Sequence, residues 1–419
     1  MKIFVVGFLF AVVVLVRVVH ASGITITEFP IPTADSGVSF ITAGPDGNLW
    51  FTEIAANQVG RILAASPNTI TEFPIPTAGS FPLDITAGPD GNIWFTEHNA
   101  SQVGRILSVS PNTITEFPLP TANAGPQGIT AGSDGNLWVM EVTQGGGAKL
   151  IGRIQPTSPN TVTEFPLPLP RGTFGVITGP DGNVWFTEVG DSQIGRILPA
   201  SPNTITEFPL NTGSSPGRIT AGPDGTLWFT QNGTNQIGRI LAESPNNVTE
   251  FTIPTENSFP SDITAGSDGN IWFTESSSFN QVGRILSASP NTITEFPLPT
   301  GNEGPQSITA GPDGALWFTN SGTNHIGRIS DISQTPIPTP TATATSIPTP
   351  TVIPRTICTG DCDGQGSVTV DELLKMVNIA LDIVPVSNCE AGDSDHSEMI
   401  TIDEILNAVN NALTGCPAS

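Results

Sequence analysis

An all-β ring of seven four-stranded blades, followed by a small α-helical module, is the fold class that the sequence predicts. Three observations carry it. The 419-residue chain repeats one unit, Ile41 to Thr77 (ITAGPDGNLWFTEIAANQVGRILAASPNTITEFPIPT), seven times up to about residue 330. Its tryptophans, Trp50, Trp94, Trp138, Trp185, Trp228, Trp272 and Trp317, fall one per unit at spacings of 43 to 47 residues. Within each unit, apolar runs alternate with turn residues, the pattern of short antiparallel strands rather than helix. Four strands at that period make a β-propeller blade.

Each element of the first unit has its own signal. Ile41 to Ala43 reads as the first strand, and Gly44-Pro45-Asp46-Gly47-Asn48 as a tight turn in which Pro presets φ while Gly and Asn tolerate positive φ. Leu49 to Glu53 is the second strand, Val59 to Leu63 the third, Ser66 to Thr69 a second turn, and Ile70 to Ile75 the fourth. A further copy of the fourth strand, Ile26 to Pro30, precedes the first unit, and the last unit stops at Ile326-Gly327-Arg328-Ile329. The N-terminal strand is therefore expected to complete the last blade, which leaves only short, protected sheet edges.

Along the chain, residues 1–21 carry a basic Lys2, an apolar run from Ile3 to Val16 and the small-residue motif Val19-His20-Ala21. These features predict a secretory signal peptide of bacterial type, with an apolar run too short to span a bilayer. The propeller is assigned to residues 22–332, a Pro/Thr-rich spacer to 333–356 and a separate module to 357–417. The expected location is secreted or at the cell surface, and the expected state a monomer without a membrane span after cleavage. A net charge of -24 at pH 7 excludes nucleic acid and anionic membranes as natural partners. Seven of the 14 Lys and Arg recur as Gly-Arg-Ile: Arg61, Arg105, Arg153, Arg196, Arg239, Arg284 and Arg328. One per blade, they are expected to be structural, paired with the equally regular Glu of Thr-Glu-Phe (Glu28, Glu72, Glu116 and onward).

The four cysteines, Cys358, Cys362, Cys389 and Cys416, all lie in the last module, where export makes disulfides the expectation. Of three possible pairings, Cys358 with Cys416 and Cys362 with Cys389 is favoured. Asp361, Asp363, Gln365, Ser367 and Glu372 fall at the ligand positions of an EF-hand loop, with Thr369 between the last two. A second loop follows with Asp393, Asp395, Ser397, Met399 by its carbonyl, Thr401 and Glu404, and with Glu398 where the turn glycine belongs. Two calcium ions are expected, the second bound more weakly. Each loop leads into an amphipathic helix, Leu373, Leu374 and Val377 in one and Ile405, Leu406 and Val409 in the other. Following a Pro/Thr-rich linker, the paired loops resemble a dockerin, and that resemblance implies a cohesin-like or other cell-surface protein as partner. Glu372 and Glu404 close loops that usually end in Asp, and Val370-Asp371 and Ile402-Asp403 differ from the polar pairs that read cohesin.

The unit itself, through Trp-Phe-Thr-Glu, Asn-Gln-Val-Gly-Arg-Ile, Ile-Thr-Glu-Phe-Pro and Ile-Thr-Ala-Gly-Pro-Asp-Gly over residues 24 to 330, resembles the streptogramin B (virginiamycin B) lyases. The resemblance implies a seven-bladed ring that opens a cyclic depsipeptide by elimination, with a His general base and a Glu-bound magnesium. The family's histidines follow Pro at the start of the first strand in the last two blades, where this chain has Ser261 and Gln306. Its metal-binding Glu follows Trp-Phe in the last blade, where this chain reads Trp317-Phe318-Thr319-Asn320-Ser321, with no Glu at Asn320 or Ser321. Of the remaining histidines, His20, His98, His325 and His396, His325 is the one candidate base in the last blade, and its favoured role is that of a polar residue on the surface. Glu53, Glu97, Glu141, Glu188 and Glu275 offer a metal in principle, but their regular recurrence favours structural hydrogen bonding.

Two of the four connections, Gly-Pro/Ser-Asp-Gly and Ser-Pro-Asn, are nearly invariant, whereas those after the second and fourth strands vary. Alternate connections lie on opposite faces, so binding belongs on the varied face. Pattern-breaking residues there are Arg171, Arg218, Gln231, Gln306, Asn320 and His325, with Asp84, Gln127, Asp262 and the insertion from Gln144 to Lys149. The favoured function is an extracellular binding or display module for a small molecule or glycan. The alternatives are a lyase or another ester- or glycan-cleaving enzyme, with magnesium only in the lyase case, and a structural surface spacer.

Overall fold

The structure is a computed structural model that describes residues 17–21, 24–143, 149–157, 161–168, 172–200, 203–243, 246–277, 279–299 and 304–332, together with Cys362, Val368, Leu373, Cys389, Ile405, Ala408, Val409, Asn411 and Ala412. The chain divides into two units, Met1–Pro338 and Thr339–Ser419.

Blade one is formed by Val38–Ala43, Leu49–Glu53, Gln58–Ile62 and Ile70–Pro74, paired in chain order as an antiparallel meander. Six further sheets repeat it, and the first strand of each lies against the first strand of the next until the ring closes. The first strand starts three residues earlier than its sequence signal because a bulge interrupts its pairing: Val38 faces Glu53, but Ile41 faces Phe51. Such a bulge frees two residues from the ladder, here Ser39 and Phe40.

Three local devices hold a blade. The turn aspartate Asp46 accepts from the Trp50 indole at 3.0 Å and from the Asn48 side chain at 2.8 Å. In blade five Thr226 stands for that Asn and takes the Asp224 oxygen at 2.6 Å, and the buried Trp228 indole is left without an acceptor. Behind the turn, Trp50 stacks on Phe73 at 5.6 Å, and the Arg61 guanidinium sits 5.3 Å from the Trp50 ring. A glycine at position 60 is obligatory, since a Cβ there would overlap the Phe51 ring.

The repeated arginines correct one expectation: Arg61, Arg105, Arg196, Arg239 and Arg328 pair with the turn aspartates of their own blades, at 2.8 to 3.9 Å, and not with the Glu of Thr-Glu-Phe. Register explains it. Arg61 lies opposite Thr71, so Glu72, one residue on, points to the other face of the sheet.

Closure of the ring follows the sequence reading. Ile24–Pro30 pairs antiparallel with His325–Ser330, and its Ile24, Ile26 and Phe29 enter the cores of the last and first blades. Asn324 locks the seam by accepting from the Ser36 amide at 3.0 Å and hydroxyl at 2.8 Å. Residues Arg17–Ala21, assigned above to the leader, form a fifth, outermost strand on this blade. A β-branched stretch meeting an open strand edge pairs with it.

In the second unit Cys362 and Cys389 form a disulfide, as the favoured pairing has it, and Leu373, Ile405, Ala408, Val409, Asn411 and Ala412 are helical. Cys358, Cys416, the spacer, and the proposed calcium ligands Asp361, Asp363, Gln365, Ser367, Glu372, Asp393, Asp395, Ser397, Met399 and Glu404 lie outside the described residues. Among the described residues no helix is long and apolar enough to cross a membrane.

Candidate functional site at the propeller mouth

The first strands line the bore, and the bulge turns two of their residues per blade toward it. A threonine of the second strand fixes each bulge and the neighbouring blade together: the Thr52 hydroxyl accepts from the Phe40 amide at 3.1 Å and donates to the Leu83 carbonyl of blade two at 2.8 Å. Thr96, Thr187, Thr230, Thr274 and Thr319 repeat the bridge. Blade three has the buried Met140 instead.

At the level of Phe40 the bore is filled. Arg218 of blade five donates to Asp84 of blade two at 2.8 Å, reaching across the ring. Its guanidinium lies 3.9 Å from the Phe40 ring and 4.5 Å from the Phe174 ring, two rings in edge contact at 62° that form an aromatic corner for a desolvated cation. Asp84 also accepts from the Ile129 amide at 3.0 Å. On the other side Asp262 accepts from the Ser307 hydroxyl at 2.6 Å and the Ile308 amide at 3.0 Å. Burial pushes the Asp262 carboxyl up, against the opposing pull of the Arg218 charge and those hydrogen bonds. This cluster ties all seven blades through their innermost strands, blade three by the Ile129 amide.

Above it, the loops after the second and fourth strands make the mouth. The residue before each first strand adopts left-handed backbone in six blades: Gly37, Phe81, Gly125, Gly172, Ser215 and Phe259. A bulky side chain in that conformation costs about 1 to 2 kcal/mol relative to glycine, yet blades two and six carry phenylalanine there, 38% and 47% exposed. Phe259 is joined on the next loop of blade six by Phe279, 55% exposed, and Phe81 packs against His98 at 6.0 Å. Neither phenylalanine stood out in the sequence. The signal was present in Ser-Phe-Pro standing where other blades read Ser-Gly-Val or Ala-Gly-Pro.

The predicted site residues separate into groups. Arg218, Asp84 and Asp262 lie buried in the bore. Gln306 is half-buried at the rim, and its carbonyl receives the Thr274 hydroxyl. Gln127 occupies the corresponding place in blade three, its carbonyl receiving the Thr96 hydroxyl. His325 is half-buried opposite Asn320, its Nδ1 against the Thr323 carbonyl. Gln231 and Asn320 are fully buried, not on an open face. Arg171 and the insertion up to residue 148 lie outside the described residues.

Gln231 and Asn320 replace, in blades five and seven, the second-strand glutamates Glu53, Glu97, Glu141, Glu188 and Glu275, which are all buried. Each glutamate lies beside the fourth-strand glutamate of its blade. Glu53 is pushed up to about 8, first by burial and then by the charge of Glu72. Glu141 and Glu188 rise to about 8 for the same two reasons, with Glu164 and Glu207 as neighbours. Burial raises Glu97 and Glu275 to about 7, tempered by hydrogen bonds from Gln102 and Gln281. Among the described residues no three His, Cys, Asp or Glu converge to hold a metal. The magnesium that the lyase resemblance implies does not fit here, because no acid follows Trp317-Phe318: Thr319 and Asn320 are buried and uncharged, and Ser321 comes next.

Fold, blade devices and bore define a seven-bladed propeller of the lyase type. Residues 16–197 and 151–352 match the model of the virginiamycin B lyase family, and the chain belongs to that family. A solved streptogramin B lyase is 36% identical, with 74% of this chain and 99% of that one covered and a TM-score of 0.66. Virginiamycin B lyase from Staphylococcus aureus is 35% identical over 73% of this chain and 99% of that one, with a TM-score of 0.65. A catalytically inactive histidine-to-alanine variant of the S. aureus enzyme, solved with quinupristin, matches equally, at 35% identity over 73% and 99% of the two chains with a TM-score of 0.65. No curated protein matches the chain.

Proposed function

We propose that this chain is a binding member of the virginiamycin B lyase family, taking an apolar-faced ligand at the propeller mouth without opening it. The carrying observation is the trio Ser261, Gln306 and Asn320 at the positions where the family resemblance puts two histidines and a metal-binding glutamate. A general base must accept a proton near neutral pH and stand within hydrogen-bond reach of it. Hydroxyl and amide side chains do not do so, and Asn320 is also buried. What the mouth does offer is exposed aromatic surface, held at a backbone cost by Phe81 and Phe259. Strain maintained at a surface position points to use.

Calorimetry with quinupristin as probe tests the reading. The full chain should bind it, and Phe81→Ala with Phe259→Ala should weaken binding about 10- to 100-fold, the size of one or two lost aromatic contacts. Unchanged affinity in the double variant would remove the mouth from the account.

The reading extends to the rest of the chain as an export leader, a spacer and a calcium-binding, dockerin-like module that displays the propeller on a partner protein. Support comes from two in-register loops and from the Cys362–Cys389 disulfide, whose first half-cystine sits inside the first loop. Glu372→Gln should abolish the tighter of two calcium sites, and Glu398→Gly should tighten the weaker one by relieving its turn. Titration of the full chain with calcium decides, and the absence of calcium heat would end the assignment.

A further inference from the structure

In five blades a buried second-strand carboxyl is paired with a half-buried fourth-strand one, and these pairs take no part in the proposed binding. Glu53 and Glu72 lie on one face of blade one, diagonally across Gly60. As carboxylates both are acceptors only, and both Glu53 oxygens are buried with no donor found among the protein's own groups. The same holds for both oxygens of Glu141 and of Glu188. Meanwhile the fourth-strand partner is engaged elsewhere: Glu72 accepts from the Thr33 amide at 3.0 Å and hydroxyl at 3.1 Å. Glu116, Glu164 and Glu295 accept the amides of Thr77, Thr121 and Thr255 at 2.9 to 3.0 Å. Those threonines belong to the crossover loops that enter each blade at the mouth.

Blade five shows what the second-strand position can hold. Gln231 donates to Glu250 at 3.1 Å and is itself completed by the Thr234 hydroxyl at 2.9 Å; in blade seven the corresponding side chain is Asn320, whose buried amide makes no such bond. An amide is the neutral, donating counterpart of a protonated carboxyl. We propose that Glu53, Glu97, Glu141, Glu188 and Glu275 are neutral acids that each donate a proton to the fourth-strand glutamate of the same blade, and that these shared protons latch the mouth's crossover loops, making the propeller mouth a proton-sensitive device.

The surroundings supply no fixed cation to take the proton's place in blade one, where the crossover loop contributes Ser36 and the fourth strand Glu72. In blade two the neighbours are Ser80, Gln102 and Glu116, with His98 adjacent in sequence and turned to the Pro126 carbonyl. In blade three they are Glu164 and, at the start of the third strand, Lys149, whose amine burial pushes down. Blade four adds Asp191, a further acid that raises both Glu188 and Glu207. In blade six Ser258, Gln281 and Glu295 face Glu275. In blades one, two and four the repeated arginines Arg61, Arg105 and Arg196 are committed to the turn aspartates.

Because the folded carboxyls hold protons that the unfolded chain, at 4.5, has released, their contribution is complete below about 4.5 and is lost as pH rises to between 7 and 8. Each pair lowers the folding equilibrium constant about tenfold per pH unit across that window. Denaturant titrations of the full chain against Glu53→Gln/Glu141→Gln test this directly. The ratio of their folding constants should shift toward the variant by about 100-fold per pH unit between about 5 and 7, then level off near 8. A ratio independent of pH would overturn the proposal. If the double variant fails to fold, the infrared carbonyl band of neutral carboxylic acids in the wild-type protein decides. It should be present at about pH 6 and vanish near pH 9 together with slowed exchange of the Thr33 and Thr121 amides. No such band in the folded protein at about pH 6 would equally overturn it.

Discussion

Deleting residues 23 to 33 should leave a chain that no longer unfolds cooperatively as a ring. The deletion removes Ile24, Ile26, Phe29 and Ile31, each no more than 8% exposed. At about 1.5 to 3 kcal/mol per fully buried side chain, their loss amounts to roughly 6 to 12 kcal/mol. That is comparable to the whole stability of a typical domain, about 5 to 15 kcal/mol. It also strips the partner from His325–Ser330 and the seam bonds at Asn324, exposing a long strand edge open to aggregation. Removing only residues 1 to 21 takes away an outer strand that completes no blade, and should cost far less. Chemical denaturation of both truncations reads the contrast. A residue 23 to 33 deletion with the parent's midpoint and cooperativity would contradict closure by the N-terminal strand.

Replacing Arg218 by Met should be the most damaging single change in the bore. The substitution keeps much of the volume but removes the cation facing Asp84 and Asp262, both at most 9% exposed. Breaking a buried pair by deleting one partner costs about 3 to 5 kcal/mol, because the other charge stays desolvated. The cost should fall as pH is lowered and the Asp262 carboxyl, pushed up by burial, takes up a proton. Adding Asp84→Asn should recover part of the loss, since the amide needs no counter-ion, and the non-additivity measures the pair. Arg218→Lys should rescue incompletely, because an ammonium does not pack on the Phe40 and Phe174 rings as a planar guanidinium does. A cost below about 1 kcal/mol for Arg218→Met would mean that the bore does not depend on this ion pair.

Much of this fold was legible because the sequence states it seven times. A turn such as Gly-Pro-Asp-Gly-Asn specifies itself locally, and a spare fourth strand at one end with a missing one at the other dictates closure. Less legible was anything that depends on which face a residue occupies after pairing. Arg61 and Glu72 are both regular and oppositely charged, yet the register puts Thr71 opposite Arg61 and turns Glu72 away toward Glu53. That acid pair is visible only once the diagonal neighbours across Gly60 are known. The bore was harder still: Arg218 and Asp84 lie 134 residues apart and meet only because the ring sets blade five across from blade two. Arg218, Asp84 and Asp262 broke the repeat because they fill the bore, and the pattern did not separate that role from a ligand-facing one. Gln231 and Asn320 broke the pattern for yet another reason, as neutral substitutes inside a blade.

Chromatography of quinupristin after prolonged incubation with the purified chain tests the central claim most directly, because elimination at the ester linearises the ring and shifts its retention. The account predicts that the cyclic compound is recovered intact, with or without added magnesium, while the same samples show binding by calorimetry. Enzyme-dependent appearance of the linear product, lost on Ser261→Ala with Gln306→Ala, would show that these positions still carry the chemistry and would contradict the account.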